Sequence, residues 1–360
     1  MNIKIPGGSF YRNVSSWSEG KLAKDREIIP SNEETGEFNV GYREGGGVVI
    51  ATLAMASMAQ ISGEYDNNHY LRTAEDAFEF LEKNNTKIAR DGKENIVDDY
   101  CALLAAVELY KATNKEVYKK VANKRAQNLM SRLITTKKHK NYWRADDNDR
   151  PFFHAADAGY PVVSLLNYAA IVDNETKKEV LQIVRKSMEF EIEITNNVTN
   201  PFGYARQYVQ DITGKRQDGF FFPHKTETNG WWQGENARIA SLASAARLAA
   251  QHFPNDTRFA NKLKKYALNQ LNWVLGLNPY DSSMLEGSGR NNPQYLFYGS
   301  YEYKAAPGGI VNGITAGLNN YNDIDFEKGY VVTGKDDDWR WLEQWLPHTS
   351  WYLYAVSLKH

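Results

Sequence analysis

Near its C-terminus the chain reads "DDDWRWLEQWLPHTSWYLYAVS", which sets Glu343 among Trp339, Trp341, Trp345 and Trp351. Indole rings belong in a core or against the C–H faces of a pyranose, and a carboxylate among them is costly unless paired or neutralised. A working site that handles a sugar would account for both. Other polar clusters stand just ahead of apolar helical stretches: Arg43 and Glu44 in "YREGGG", Asp98 and Asp99 in "NIVDDY", His154 and Asp157 in "RPFFHAADAG", Trp231, Trp232 and Glu235 in "NGWWQGEN". His348 follows Glu343 in the same way.

Each cluster has a structural alternative. Carboxylates at helix N-termini cap free N–H groups and suit the positive end of the dipole. Adjacent Asp98 and Asp99 diverge by about 100° on a helix, so one caps while the other turns inward to a cleft. His154 and Asp157 make a hydrogen-bonded pair if their helix starts early, whether structural or catalytic. Trp231 and Trp232 either staple a helix to the core or form a sugar platform. The glycines at 45–47 lack the lysine and preceding strand of a phosphate loop, so they read as close helix packing or backbone approach. No HExxH, paired CxxC or EF-hand loop occurs, and "DDD" at 336–338 reads as a solvated turn. No metal and no cofactor is expected.

Nine helical segments position these residues, over 47–61, 69–83, 97–112, 115–134, 157–172, 174–196, 233–252, 257–275 and 347–358, while strand-like alternation is scarce. Segments apolar almost all round, such as "GGGVVIATLAMASMAQ", alternate with amphipathic ones such as "KEVYKKVANKRAQNLMSRL". Short links within pairs and long loops between pairs imply helical hairpins whose elaborate loops share one face. The fold class expected is therefore all-α, an α/α toroid or (α/α)6 barrel. Nine helices leave such a ring open by about three, in a single domain over 1–360 with 1–40 as an irregular or extended lead-in.

Bulk properties narrow the partners. With 43 basic and 44 acidic side chains and a net charge of −1, no strong field attracts nucleic acid or an anionic membrane. The lone Cys101, in "DDYCALLAAVELY", reads as a small buried side chain. No run approaches the roughly 18 apolar residues of a membrane span, and "MNIKIPGGSFYRN" lacks a signal peptide's apolar segment. A cytoplasmic or periplasmic protein is the expectation. The aromatic share of 13%, with 22 Tyr and 9 Trp, is high for so charged a chain and suits a sugar-binding cleft.

Together "YREGGGVVIATLAMAS", "DDYCALLAAVELY", "RPFFHAADAGYPVVSLLNY", "GWWQGENARIASLA", "NWVLGLNPYDSSMLEGSGRNNPQYLFYG" and "WLEQWLPHTSWYLYAVS" resemble glycoside hydrolase family 9. The chain looks most like that family's bacterial exo-acting glucosidases and exo-glucosaminidases, which act on short β-1,4-linked oligosaccharides. The resemblance runs from about residue 8 onward and implies an (α/α)6 barrel with its active site on the loop face. It implies Glu343 as the catalytic acid of an inverting reaction, with a second carboxylate, the base, held by a "DAGD"-like motif ahead of the second barrel helix. That motif is absent from this sequence, since "ADAG" at 156–159 matches a later family segment. The helix "GGGVVIATLAMASMAQ" matches the family's fourth, so helices one to three and the base are expected to be missing, the same deficit as the helix count. In place of the endoglucanases' paired-histidine-and-arginine motif stands "NPQYLFYGSY", which contains Tyr298.

The expected site thus has Glu343 as acid and Asp98, Asp99, His154, Asp157, Trp231, Trp232, Glu235, Tyr298, Trp339, Trp341 and His348 as substrate contacts. Lacking the base, the chain alone is expected to be nearly inactive on its oligosaccharide substrate. Two other readings stand beside this one: a glycan-binding remnant without chemistry, and an α/α-barrel hydrolase or lyase acting on uronates through Arg43, Arg206 and Arg238. An open ring would expose apolar flanks larger than monomers usually tolerate, which implies an oligomer or a companion N-terminal segment.

Overall fold

The computed structural model describes residues 7–10, 39–59, 63, 65–89, 91–226, 232–296, 300, 302, 304–317, 324 and 338–358. Their contacts gather into two compact units, Met1–Arg132 with Asn167–Lys177, and Leu133–Leu166 with Lys178–His360.

The first unit holds α1 (Gly46–Ser57), α2 (Asn67–Ile88), α3 (Ile96–Thr113) and α4 (Glu116–Ser131). α3 is buried nearly all round, from Ile96 through Leu109, as its continuous apolar run requires. α1 packs against it and α2, and α4 folds back along it. Gly47 makes the first contact close, because a Cβ there would sit 2.7 Å from the Cys101 carbonyl oxygen. That close approach bears out the packing role read for the glycine run. α2 extends past its expected end to Ile88, and the reason is Asn85: its side chain, 3% exposed, accepts from the Tyr42 N–H at 2.8 Å and donates to Asp98 at 3.0 Å.

The second unit holds most of α5 (Tyr160–Tyr168) and α6 (Asn174–Asn196), then α7 (Asn236–Gln251), α8 (Thr257–Val274), the one-turn α9 (Trp339–Leu342) and α10 (Leu346–Ser357). α7 is buried on every side, packed by α8 and α10. α5 is shorter than the expected 157–172. Residues 155–159 form turns instead, where His154 Nδ1 accepts from the N–H groups of Ala156 and Asp157 at 3.1 and 2.9 Å. Two small antiparallel hairpins were not anticipated: β1 (Leu133–Ile134) pairs with β2 (Tyr142–Trp143), and β3 (Gln207–Gln210) with β4 (Arg216–Gly219). Tyr142 and Tyr208 from these hairpins pack with Phe190 and Ile194 near the C-terminal end of α6.

Candidate active site

Glu343 occupies an extended residue, φ −72° and ψ 142°, between α9 and α10. Pro347 lies in the first turn of α10, where its fixed φ starts a helix at no hydrogen-bonding cost. The backbone ahead of that helix is clamped by the segment around Asn312: Asn312 N–H donates to the Glu343 carbonyl at 2.7 Å, Gly313 N–H to that of Trp341 at 2.9 Å, and Val311 bridges Gln344. Gly313 adopts φ +103°, and a Cβ there would lie 2.5 Å from the Asn236 amide, so the clamp requires glycine.

The Glu343 side chain is half-buried. Burial raises its pKa above the ordinary glutamate value, while hydrogen bonds from the side chains of Trp345 and Asn312 pull it back. Asn312 is fully buried and its Nδ2 also donates to the Trp339 carbonyl at 2.8 Å. Its Oδ1 lies 2.8 Å from Nε2 of His348. His348 Nδ1 in turn accepts from the Ala237 N–H at 2.8 Å, in the first turn of α7, so the proton of the neutral ring sits on Nε2. Burial drives the His348 pKa down to about 3, which keeps the ring neutral.

The indoles divide. Trp341 and Trp232 are 3% and 5% exposed and meet edge to face at 5.9 Å, in a cluster with Leu296 and Leu342 against which Phe222 and Trp339 pack. His224 stacks on Trp232 at 3.6 Å, and the Arg340 guanidinium lies 4.3 Å from the Trp232 ring and 4.7 Å from that of Trp339. Arg340 also donates to the Trp232 carbonyl at 2.6 Å. Burial and the Arg340 charge push His224 down to about 4. Trp232, expected as a platform or a staple, is therefore packed into this cluster. Trp345 is 41% exposed. Trp351 donates to Asp157 at 2.9 Å. Trp231 and Tyr298 lie outside the described residues.

The remaining expected contacts each have partners within the fold. Glu235 is 1% exposed and accepts from Phe222 N–H at 2.5 Å, from Gln207 Nε2 at 2.8 Å and from Arg238 Nε. It ties the β3–β4 hairpin to the start of α7. His154 and Asp157 do not make the expected pair: their closest approach is 3.9 Å, because α5 starts only at Tyr160 and His154 Nδ1 is taken by backbone N–H groups. In the first unit, Asp98 closes a capping box with Asn95 and binds Arg43 Nε at 2.7 Å, while Asp99 binds Arg132 Nε at 2.6 Å. Both are at most 1% exposed, so the turn of about 100° between them leads to two arginines. Three residues were missed. Asn312 sits in a coil with no periodicity, while Arg340 and His224 carry no motif; "WRWLE" alone hinted at a cation between indoles.

Residues 29–345 match the family model described as glycosyl hydrolase family 9. The chain belongs to glycosyl hydrolase family 9. The matched range of the family 9 model reaches through Glu343. Among solved structures, a metagenome-derived family 9 endoglucanase superposes with a TM-score of 0.62 at 15% identity, covering 99% of this chain and 58% of that one. A family 9 protein from Bacteroides ovatus gives 0.60 at 15% identity, covering 99% and 59%. An endoglucanase from Clostridium thermocellum complexed with cellotriose gives 0.53 at 17% identity, covering 88% and 47%. Among curated protein sequences none matches the chain. The fold is thus the all-α (α/α)6-barrel class of family 9, and this chain spans roughly half to three-fifths of the length of these three relatives.

Proposed function

We propose that this family 9 chain carries the acid half of an inverting glycoside hydrolase acting on short β-1,4-linked oligosaccharides of glucose or glucosamine. Glu343 donates the proton to the glycosidic oxygen while water attacks the opposite face of the sugar. The observation that carries this reading is the Glu343 carboxyl itself, half-buried on a backbone whose carbonyl accepts from the Asn312 N–H at 2.7 Å, and raised in pKa by desolvation. Such a carboxyl stays protonated higher in pH than an exposed one, as a general acid must. The cellotriose in the Clostridium thermocellum complex, a glucose trimer, supports the substrate class.

Inversion needs a second carboxyl roughly 6.5–9.5 Å from the first to activate water. The sequence holds no "DAGD"-like motif to supply it, so we assign the isolated chain low hydrolytic activity. Exo-action rests on "NPQYLFYGSY" standing where the endoglucanases carry their paired histidine and arginine. The decisive experiment is hydrolysis of β-1,4-linked glucose and glucosamine oligosaccharides by the purified chain and by Glu343→Gln, with products identified by size and anomer. Enzyme-like turnover abolished by Glu343→Gln keeps the acid and removes the missing-base argument. Turnover indifferent to Glu343→Gln removes the acid.

Sugar binding without turnover is the second reading, favoured by the absent base motif and tested by tryptophan fluorescence titration. Self-association or a companion segment also belongs to the proposal. Leu346, Leu353 and Val356 of α10 are 79%, 63% and 44% exposed, and a clean monomer in sedimentation would count against it.

A further inference from the structure

We infer that the second unit contains a binding site for one internal water molecule, held between Arg238 of α7, Gln207 of β3 and Glu191 of α6. These three residues line a narrow, mostly buried cavity together with Tyr142, Phe153 and Leu242. The centre of a water-sized sphere can move there over about 20 Å³, which is room for a single molecule.

Counting donors at Arg238 sets the first contact. Its Nε–H goes to Glu235, and Nη2 donates to the Ala205 carbonyl at 2.9 Å and the Phe220 carbonyl at 3.3 Å. Nη1 is buried and has no hydrogen-bond partner among the described protein groups. The Tyr204 ring lies 5.3 Å from the guanidinium, yet its hydroxyl is also unpartnered and so does not take up Nη1. Gln207 sets the second contact. Its Nε2 donates to Glu235 Oε2 at 2.8 Å, which fixes the amide, because the flipped form would set Oε1 against that carboxylate. Gln207 Oε1 is thus a buried acceptor without a donor. Glu191 stands on the same lining, and its carboxyl makes no hydrogen bond with the described residues.

The two orphan atoms identify the ligand. Arg238 Nη1 needs an acceptor and Gln207 Oε1 needs a donor, and buried polar groups left unmet in this way are costly. A halide only accepts, so it would leave Oε1 facing an anion. A metal cation or ammonium would stand beside the guanidinium and offer Nη1 nothing. Water does both: it accepts from Nη1, donates one proton to Oε1 and keeps the other for the Glu191 carboxyl, within the roughly two to four partners of a buried water.

The site backs the turn of α7 that carries the surroundings of Glu343. Asn236 Nδ2 donates to the Val311 carbonyl and Ala237 N–H to His348 Nδ1, each at 2.8 Å, two residues and one residue before Arg238. A water at Arg238 completes the hydrogen bonding of that helix start. None of this depends on Glu343 being the acid.

The test is a high-resolution crystal structure of the chain, paired with a crystal soaked in bromide. Density is expected in the cavity about 2.7–3.2 Å from both Arg238 Nη1 and Gln207 Oε1, with no anomalous bromide signal there. An empty cavity, a protein acceptor on Nη1 or a bromide peak overturns the proposal. In solution, magnetic relaxation dispersion of water oxygen-17 counts long-lived internal waters. Gln207→Met, which removes the acceptor, is expected to lose one of them. A parent with no long-lived water, or a folded Gln207→Met with the parent's count, overturns the site.

Discussion

The Trp351 indole N–H donates to the Asp157 carboxylate at 2.9 Å, joining α10 to the turn ahead of α5 across 194 residues of chain. The Trp351 ring also meets Tyr160 edge to face at 4.9 Å. Asp157 is thus an anchor for the last helix. Trp351→Phe keeps the ring contact and leaves the carboxylate without this donor, and is expected to cost about 1–2 kcal/mol in urea unfolding. Asp157→Asn, which still offers an acceptor, is expected to cost less than half as much.

Glu235 and Arg238 form a buried ion pair with further hydrogen bonds to the β3–β4 hairpin and the residues flanking it. Removing one member leaves the other charged and dry. Glu235→Leu or Arg238→Met alone is expected to destabilise by about 3–5 kcal/mol, and the two replacements together by clearly less than the sum of the single changes. Denaturant midpoints of the three variants check this, and an additive double variant would contradict a coupled pair.

The long helices were legible because an apolar stripe at helical spacing repeats over many residues: each of the nine expected segments contains a helix, though that within 157–172 covers only Tyr160–Tyr168. The one-turn α9 and strands of two to four residues carry no period; tertiary contacts such as the Asn312 clamp make them. The same divide runs through the site. Glu343 stands out in the sequence by its company, four indoles within one short stretch. Its partner Asn312 is 31 positions away in sequence, in a coil, and nothing local distinguishes it. Helix-start carboxylates were visible as a class, yet the arginines that take up Asp98 and Asp99 come from other elements, so periodicity did not reveal their roles. His348 was visible as a polar residue at a helix start, but the backbone N–H that makes it a structural link belongs to α7.

Acid sensitivity should follow from two histidines and a glutamate. Burial holds His348 near about 3 and His224 near about 4 in the fold, against 6.5 unfolded, so their contribution is full above pH 6.5 and is lost as the pH falls towards those values. Glu191 opposes them: burial pushes its carboxyl up to about 7 from 4.5, with Arg238 pulling the other way, so its contribution is full below pH 4.5 and is lost as the pH rises to 7. Between about pH 5 and 6 the unfolded chain binds close to two protons at these sites and the folded chain close to one, and stability changes by about 1 kcal/mol per pH unit from this set, falling on acidification. Glu191→Gln removes the opposing group. Its unfolding free energy, measured in urea across that window, is expected to fall about twice as steeply as the parent's from these groups.

If Glu343 is the acid and no base is supplied, a nucleophile that needs no deprotonation should bypass the deficit. Azide is already an anion. It would attack the anomeric carbon of a β-glycoside from the opposite face, its nitrogen forming the new bond as the carbon–oxygen bond breaks and the departing oxygen takes the Glu343 proton, to give an α-glycosyl azide. Added azide is therefore expected to raise consumption of short β-1,4-linked oligosaccharides well above the low rate in water. Glu343→Gln should then lower that rate by about 10²–10⁴-fold, because a sugar leaving group needs the proton. Nitrophenyl glycosides, whose leaving group departs without one, should lose much less. The rate in azide should also fall as the pH rises through the Glu343 pKa. Trp345→Phe, which removes a side chain that lowers the Glu343 pKa, should move that fall to higher pH. Equal losses for both leaving groups in Glu343→Gln would show that the residue binds or supports the site without donating a proton.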